Sequence, residues 1–366
     1  MQHRKIAFVV GARPNFMKVA PLLAEAGRRA HWEKQLIHTG QHYSPEMSDY
    51  FFQELEIPRP DVHLEIGGGS PTRQTAEILT GLEPVLECDR PDVVVVVGDV
   101  TSTVAAALTA ARLGIKVAHV EAGLRSFDRT MPEEINRVVT DALSDFLFTS
   151  EASAGINLSA EGVDPKRIFF VGNVMIDTLL RFRQRAAESG ALERLGVASR
   201  GYAVVTLHRP ANVDDPDRLT SLLGVLRELS HRIPVVFPIH PRTRKRVQET
   251  GLPVNGLILC APQGYLDFLR LTSEARLVLT DSGGIQEETT ILQVPCLTLR
   301  ENTERPVTIE MGTNRLVGLD PAAILDAANH ALGQEQAPGR IPPLWDGKAS
   351  ARIFDALETG LLTWNG

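Results

Sequence analysis

Apolar positions along the chain gather in short runs. Residues 6–10, 35–38, 92–97, 117–120 and 146–149 are such runs, and the stretches between them, 102–113 and 133–143 among them, have helix length and helix-forming composition. Runs this apolar leave no polar face for water, so the alternation predicts a parallel sheet covered by helices on both sides. A helix predicted over 176–187 gives way to 188–200, which has no strand alternation and contains Gly190 and Gly196. A second series then begins, with strands expected at 203–207, 235–239, 257–260, 277–280 and 296–299. The pattern predicts two open α/β domains in tandem, 1–172 and 173–347, with the junction near Gly172. A last helix is expected within 348–366; spacing alone does not say where it packs, and a return to the first domain is the expectation.

Length supports the division, since 366 residues exceed the roughly 250–300 at which a single core stops growing. With 43% hydrophobic and 23% charged residues the chain has an ordinary globular composition, which removes fibrous and disordered classes. A net charge of -7 argues against a nucleic-acid partner and requires any anion site to be local. Cys88, Cys260 and Cys296 form no C-x-x-C pair, so neither a disulfide framework nor a metal site is expected. The run 6–10 is shorter than the apolar core of a signal peptide, and no run approaches the ~20 residues that span a bilayer. A cytoplasmic protein without a membrane partner is the expectation.

Open α/β sheets bind ligands beyond the carboxyl ends of their strands. Those positions are polar here. Arg13 and Lys18 follow the first strand, Gln41 and His42 the second, Asp99 the run of five valines, and Glu121 the strand after that. Asp99 can instead cap the helix that follows, a role equally open to Thr101 or Ser102. Glu133 and Glu134 precede Arg137 at helical spacing, which an exposed ion pair would explain without any function. Carboxylates grouped around one crevice are what proton abstraction and return require, because partial desolvation raises a carboxyl pKa toward neutrality.

The second domain offers anion-binding parts. Asp281-Ser282-Gly283-Gly284 lies between a predicted strand and a helix, where small residues let a diphosphate approach backbone N–H groups. Glu287 and Glu288 would fall in the first turns of that helix, and a purely structural serine cap with dipole-stabilising glutamates is the alternative. His208 and Arg209 follow the first strand of this domain, His240 and Arg242 the next, and Arg305 sits in Glu304-Arg305-Pro306; together these cations suit a pyrophosphate. The chain has no G-x-x-x-x-G-K-[ST], G-x-G-x-x-G after the first strand, H-E-x-x-H or G-x-S-x-G. P-loop ATPase, dinucleotide dehydrogenase, zinc protease and α/β-hydrolase readings therefore fall.

These residues stand in an order that resembles the non-hydrolysing bacterial UDP-N-acetylglucosamine 2-epimerases along nearly the whole chain. The matching stretches are Gly11-Ala12-Arg13-Pro14, Thr39-Gly40-Gln41-His42, Gly98-Asp99, His119-Val120-Glu121-Ala122-Gly123-Leu124-Arg125, Pro132-Glu133-Glu134 with Asn136-Arg137, Gly172-Asn173, His208-Arg209, Thr280-Asp281-Ser282-Gly283-Gly284 with Gln286-Glu287-Glu288, and Glu304-Arg305-Pro306. The resemblance implies a GT-B-like fold, two Rossmann-type domains with an interdomain active-site cleft, usually as a homodimer. It implies catalytic roles for Asp99, Glu121, Glu133 and His208. It implies UDP-sugar contacts from Arg13, Lys18, Gln41, His42, Arg137, Arg209, Gln263, Phe268, Ser282, Gly283, Gly284, Glu288 and Arg305, and no cofactor or metal. The reaction implied is elimination of UDP to a 2-acetamidoglucal and re-addition on the opposite face of carbon 2. Asn15 and Ala211 stand where many members carry Glu, and relatives acting on diacetamido uronic acid sugars share the same motifs. A GT-B glycosyltransferase, a UDP-sugar sensor and a hydrolysing epimerase are the competing readings; the first would need an acceptor site and none of the three carboxylates.

Overall fold

The computed structural model describes residues 3–40, 45–251, 254–333 and 338–363, with the side chains of Arg13, residues 45–49, Arg242 and Thr363 outside the description. The chain forms two compact units, 1–180 with 343–366 and 181–342. Their boundary falls inside the helix Val174–Ala187, a few residues beyond the junction expected at Gly172. The helix is continuous there, so no loop marks the change of unit.

The first unit is built on seven strands: β1 (Arg4–Val10), β2 (Trp32–His38), β3 (Val62–His63), β4 (Val93–Val97), β5 (Lys116–Val120), β6 (Phe146–Thr149) and β7 (Ile168–Phe170). Their order is β3-β2-β1-β4-β5-β6-β7, with every pair parallel. The five valines of β4 are all buried, because the strand lies mid-sheet with helices on both faces. Val94 and Val96 join Ala7, Val9, Leu82, Leu86, Ala106 and Ala110 in one cluster.

Six strands make the second unit: β8 (Ala203–Thr206), β9 (Val235–Pro238), β10 (Leu257–Cys260), β11 (Leu277–Thr280), β12 (Cys296–Thr298) and β13 (Asn314–Leu316). The order β10-β9-β8-β11-β12-β13 is again wholly parallel and is the doubly wound nucleotide-binding arrangement. Two parallel sheets flanked by helices confirm the GT-B-like fold class. The strands that the periodicity missed, β3, β7 and β13, lie at sheet edges and are two or three residues long.

In both sheets the order reverses beside the first strand, between β1 and β4 and between β8 and β11. Chain crossovers leave a crevice at such a switch point, and it is where an open sheet receives its ligand.

The C-terminal helix Ala349–Thr363 is part of the first unit. Arg29 reaches Ala351 O and Asp355, and His31 and Trp32 reach Glu358. Asp177 caps the helix by accepting from Ala349 N, Ser350 N and Ser350 Oγ. Burial pushes the Asp177 carboxyl up in spite of these donors. The chain re-enters past Leu344, whose carbonyl oxygen would lie 2.1 Å from a Cβ added at Gly172, itself at φ +88°. Gly172→Ala should therefore lose about 1–3 kcal/mol of stability, combining left-handed strain with that collision, and urea unfolding of the two proteins measures it.

Candidate active site

Beyond the carboxyl ends of β4 and β5 the first unit carries two carboxylates, each held by a buried cation. Glu121 follows β5 at φ +76°, a left-handed conformation rare for a residue with a side chain, and its N–H donates to Phe148 O of β6 at 3.0 Å. Held strain of this kind is characteristic of functional positions. Its carboxylate meets Lys18 Nζ at 2.7 Å, with both side chains at least nine-tenths buried. Lys18 arrives from the helix Arg13–Arg28 and lies over Gly98, where an added Cβ would come within 2.7 Å of Nζ. Gly98 itself sits at φ +67°, a left-handed conformation that favours glycine, and a side chain there would also have to displace the lysine tip.

Asp99 accepts from Arg137 Nε at 3.0 Å and Nη2 at 2.6 Å, a two-pronged pair. Arg137 Nη1 donates to Glu134 at 2.7 Å, and Asn136 Nδ2 fixes the Asp99 carbonyl at 2.8 Å. Glu134 also accepts from Ser126 N, Ser126 Oγ and Phe127 N, and so shapes the loop after β5. Burial opposes its ionisation, but these donors and Arg137 hold the Glu134 carboxyl below its usual range. The spacing Glu134 to Arg137 does make an ion pair, as the helical pattern allowed. It corrects the expectation of an exposed one, however, because both side chains are buried. Arg137 is accordingly held by two protein carboxylates, Asp99 and Glu134. Glu133 is exposed on the first turn of the same helix, Pro132–Leu143.

Beneath this rim His119 Nδ1 lies 2.6 Å from Asp141 and Nε2 lies 2.8 Å from Gly98 O, tying the turn before Asp99 to the helix that carries Arg137. Asp141 also accepts from Gly123 N and pairs with Arg125. Sequence spacing paired Glu134 with Arg137 but pointed neither to its hold on Ser126 and Phe127 nor to Asp141, because only packing reveals those partners. Asn15 is likewise spent on backbone: it accepts from Gly11 N and Ala12 N and donates to Val97 O, while Ala211 is exposed. The side chain of Arg13, and Gln41 and His42, lie outside the described residues.

The second unit carries the other group. Ser282 precedes the helix Gly283–Leu292 and its side chain makes no capping bond, so the N-terminus has the N–H donors and dipole an anion needs. Ser282, Gly283 and Gly284 are all part-exposed. Arg305 Nε donates to Glu287 at 2.8 Å and Nη1 to Glu304 at 2.5 Å; a Cβ at Gly283 would lie 2.4 Å from Nη1. Arg209 is tied down by Nε to Asp281 O at 2.9 Å. His208, with a side chain 58% exposed, meets the fully buried Asp281 through Nδ1 at 2.7 Å. Gln263 donates to Ala261 O, and Phe268 is half-buried.

Glu287 and Glu288 lie in the second turn of that helix, within the first turns where they were expected, and are buried. Burial, then the adjacent Glu287 charge, pushes the Glu288 carboxyl up to about 8, and a hydrogen bond with Tyr265 pulls the other way.

The family described as UDP-N-acetylglucosamine 2-epimerase matches residues 24–358. This chain belongs to that family. It is 42% identical to the UDP-N-acetylglucosamine 2-epimerase of Methanocaldococcus jannaschii over 97% of this chain and 99% of that protein. It is 41% identical to the UDP-2,3-diacetamido-2,3-dideoxy-D-glucuronate 2-epimerase of Pseudomonas aeruginosa over 96% and 99% of the two. The crystal structure of the M. jannaschii epimerase in complex with UDP-GlcNAc and UDP superposes with a TM-score of 0.91, at 41% identity, covering 97% of this chain and all of that one. Members of this epimerase family are isomerases, and no helix among the described residues of this one is long and apolar enough to cross a membrane.

Two measurements probe the electrostatics. Lys18→Met strands the buried Glu121 carboxylate and should cost about 3–5 kcal/mol in urea unfolding at neutral pH. Glu288 is protonated in the folded state up to pH about 8 but ionised in the unfolded chain above its ordinary range near 4.5. Folding therefore retains a proton that unfolding releases, and the stability this group contributes falls as pH rises from about 4.5 through 8. Glu288→Gln should flatten that fall and leave the variant more stable than wild type at pH 9, as thermal unfolding across pH would read.

Proposed function

We propose that the epimerase interconverts UDP-N-acetylglucosamine and UDP-N-acetylmannosamine by eliminating and re-adding UDP, with no redox cofactor. The observation that carries the reading is the pairing of Asp99 with Arg137 and of Glu121 with Lys18 beyond neighbouring strands of one sheet. Inversion at carbon 2 needs a base on one face of the ring and an acid on the other, so two separately held carboxylates suit it where one would not.

In the first step the carbon 1 to oxygen bond breaks, UDP leaves with its electron pair, and a carboxylate takes the carbon 2 proton as the 1,2 double bond forms. Re-addition reverses these events with the proton delivered from the opposite face, and UDP returns to carbon 1. A proton beside no carbonyl is hard to remove until positive charge builds at carbon 1. Departure of the diphosphate creates that charge, and His208, Arg305 and the helix N-terminus at Ser282 are the groups suited to stabilise the departing anion. Glu133, exposed on the helix that clamps Asp99, completes the proposed set of acids.

The near-equal identity to a diacetamido-glucuronate epimerase favours testing a second sugar beside the first. Incubation with each UDP-sugar in deuterated water, followed by NMR, should show deuterium entering carbon 2 of both epimers with UDP retained in the product. Free sugar would mean hydrolysis instead, and absence of exchange with either sugar would sink the reading. Asp99→Asn, Glu121→Gln and Glu133→Gln should each cut turnover at least ~100-fold while UDP affinity, measured by calorimetry, stays within about threefold.

A further inference from the structure

The turn after β8 is organised around a side chain that belongs to another strand. Asp281, directly after β11, is fully buried and accepts from His208 N at 3.1 Å, Arg209 N at 3.0 Å and Asn212 Nδ2 at 3.1 Å. The same carboxylate meets His208 Nδ1 at 2.7 Å, its shortest contact. The main-chain oxygen of Asp281 accepts from Arg209 Nε, and the next residue, Ser282, opens the helix Gly283–Leu292. β8 and β11 are hydrogen-bonded neighbours, with Thr206 opposite Thr280 and their hydroxyls 2.6 Å apart, so the two strand ends deliver His208 and Asp281 to one point.

Closing this turn needs only the backbone and Asn212 donors. The contact to Nδ1 does something else: it fixes a ring that is 58% exposed. Burial opposes ionisation of Asp281, but the charge and hydrogen bond of His208 and the backbone donors hold its carboxyl below the usual range. An ionised carboxylate can only accept, so Nδ1 must carry hydrogen and Nε2 is left on the exposed side of the ring.

We propose that Asp281 is the positioning residue of His208, locking the imidazole with Nδ1–H inward so that Nε2 is presented to the diphosphate of the nucleotide beside the Ser282 helix terminus. The proposal rests on the epimerase reading for the identity of that diphosphate, but the lock itself does not. Its chemistry is that of a carboxylate holding a working histidine in one tautomer, for which loss of the carboxylate costs rate far more than binding.

The lock is tested first on the wild-type protein, by ring nitrogen NMR of histidine-labelled enzyme with the His208 signals assigned through His208→Gln. Nδ1 should carry hydrogen throughout the folded pH range and Nε2 alone should change state; a ring with bare Nδ1 and hydrogen on Nε2 would overturn the proposal whatever the enzyme's substrate. Kinetics then test the consequence. Asp281→Asn, checked for a native thermal transition, should lower kcat about 100-fold with KM and UDP affinity changed less than about threefold. In the His208→Gln background the same substitution should cost less than about twofold, the margin expected when the second change has nothing left to remove. Equal losses in both backgrounds, or a loss confined to UDP affinity, would assign Asp281 a structural role only.

Discussion

A carboxylate buried at the mouth of a parallel strand must find its counter-charge on a neighbouring strand or helix, and this requirement shapes both ends of the chemistry here. Isolated, such a charge is too costly to keep; paired and hydrogen-bonded, it becomes a fixed point. Asp99 is fixed by Arg137, Glu121 by Lys18 and Asp281 by His208 with the turn that carries it. In each case the partner comes from an element far away in sequence, so the fold is the condition for the charge to exist.

The two units solve the problem with the same topology. Each sheet reverses its strand order beside its first strand, and the acidic residues follow the strands on the far side of that reversal: Asp99 after β4, Asp281 after β11. The neighbours differ in what they bring. The first unit surrounds its acids with a lysine and an arginine that are themselves buried, giving carboxylates of fixed position. The second ties its cations to carboxylates and adds a helix terminus without a side-chain cap, giving donors suited to an anion.

Arg137 shows how such networks share one charge. A single guanidinium spans Asp99 and Glu134, and Glu134 in turn fixes the backbone of Ser126 and Phe127. The loop after β5, the helix Pro132–Leu143 and the acid after β4 are therefore set together. Glu287, Arg305, Glu304 and Arg300 form a comparable chain in the second unit, passing beside Gly283 at its centre. Position is the benefit of such alternation, since surface-exposed pairs of the same residues would contribute little.

A strand buried on both faces must be written as an unbroken apolar run, as in the valines 93–97, and so the two sheets and their long strands were legible in chain order alone. That order also determined which residues stand at strand ends, and so put Asp99, Glu121, His208 and Ser282 forward. The short edge strands β3, β7 and β13, two or three residues each, escaped it. Asp281 was present in the quoted motif and follows a strand just as Asp99 does, yet its partner His208 lies 73 positions away, and nothing in local spacing joins them. Only the tertiary structure decided that Glu134 is buried while Glu133 is exposed, that Asn15 binds backbone, and which cation each acid holds. Those outcomes depend on distances between side chains that strand pairing and helix packing set, and one-dimensional order carries no record of them.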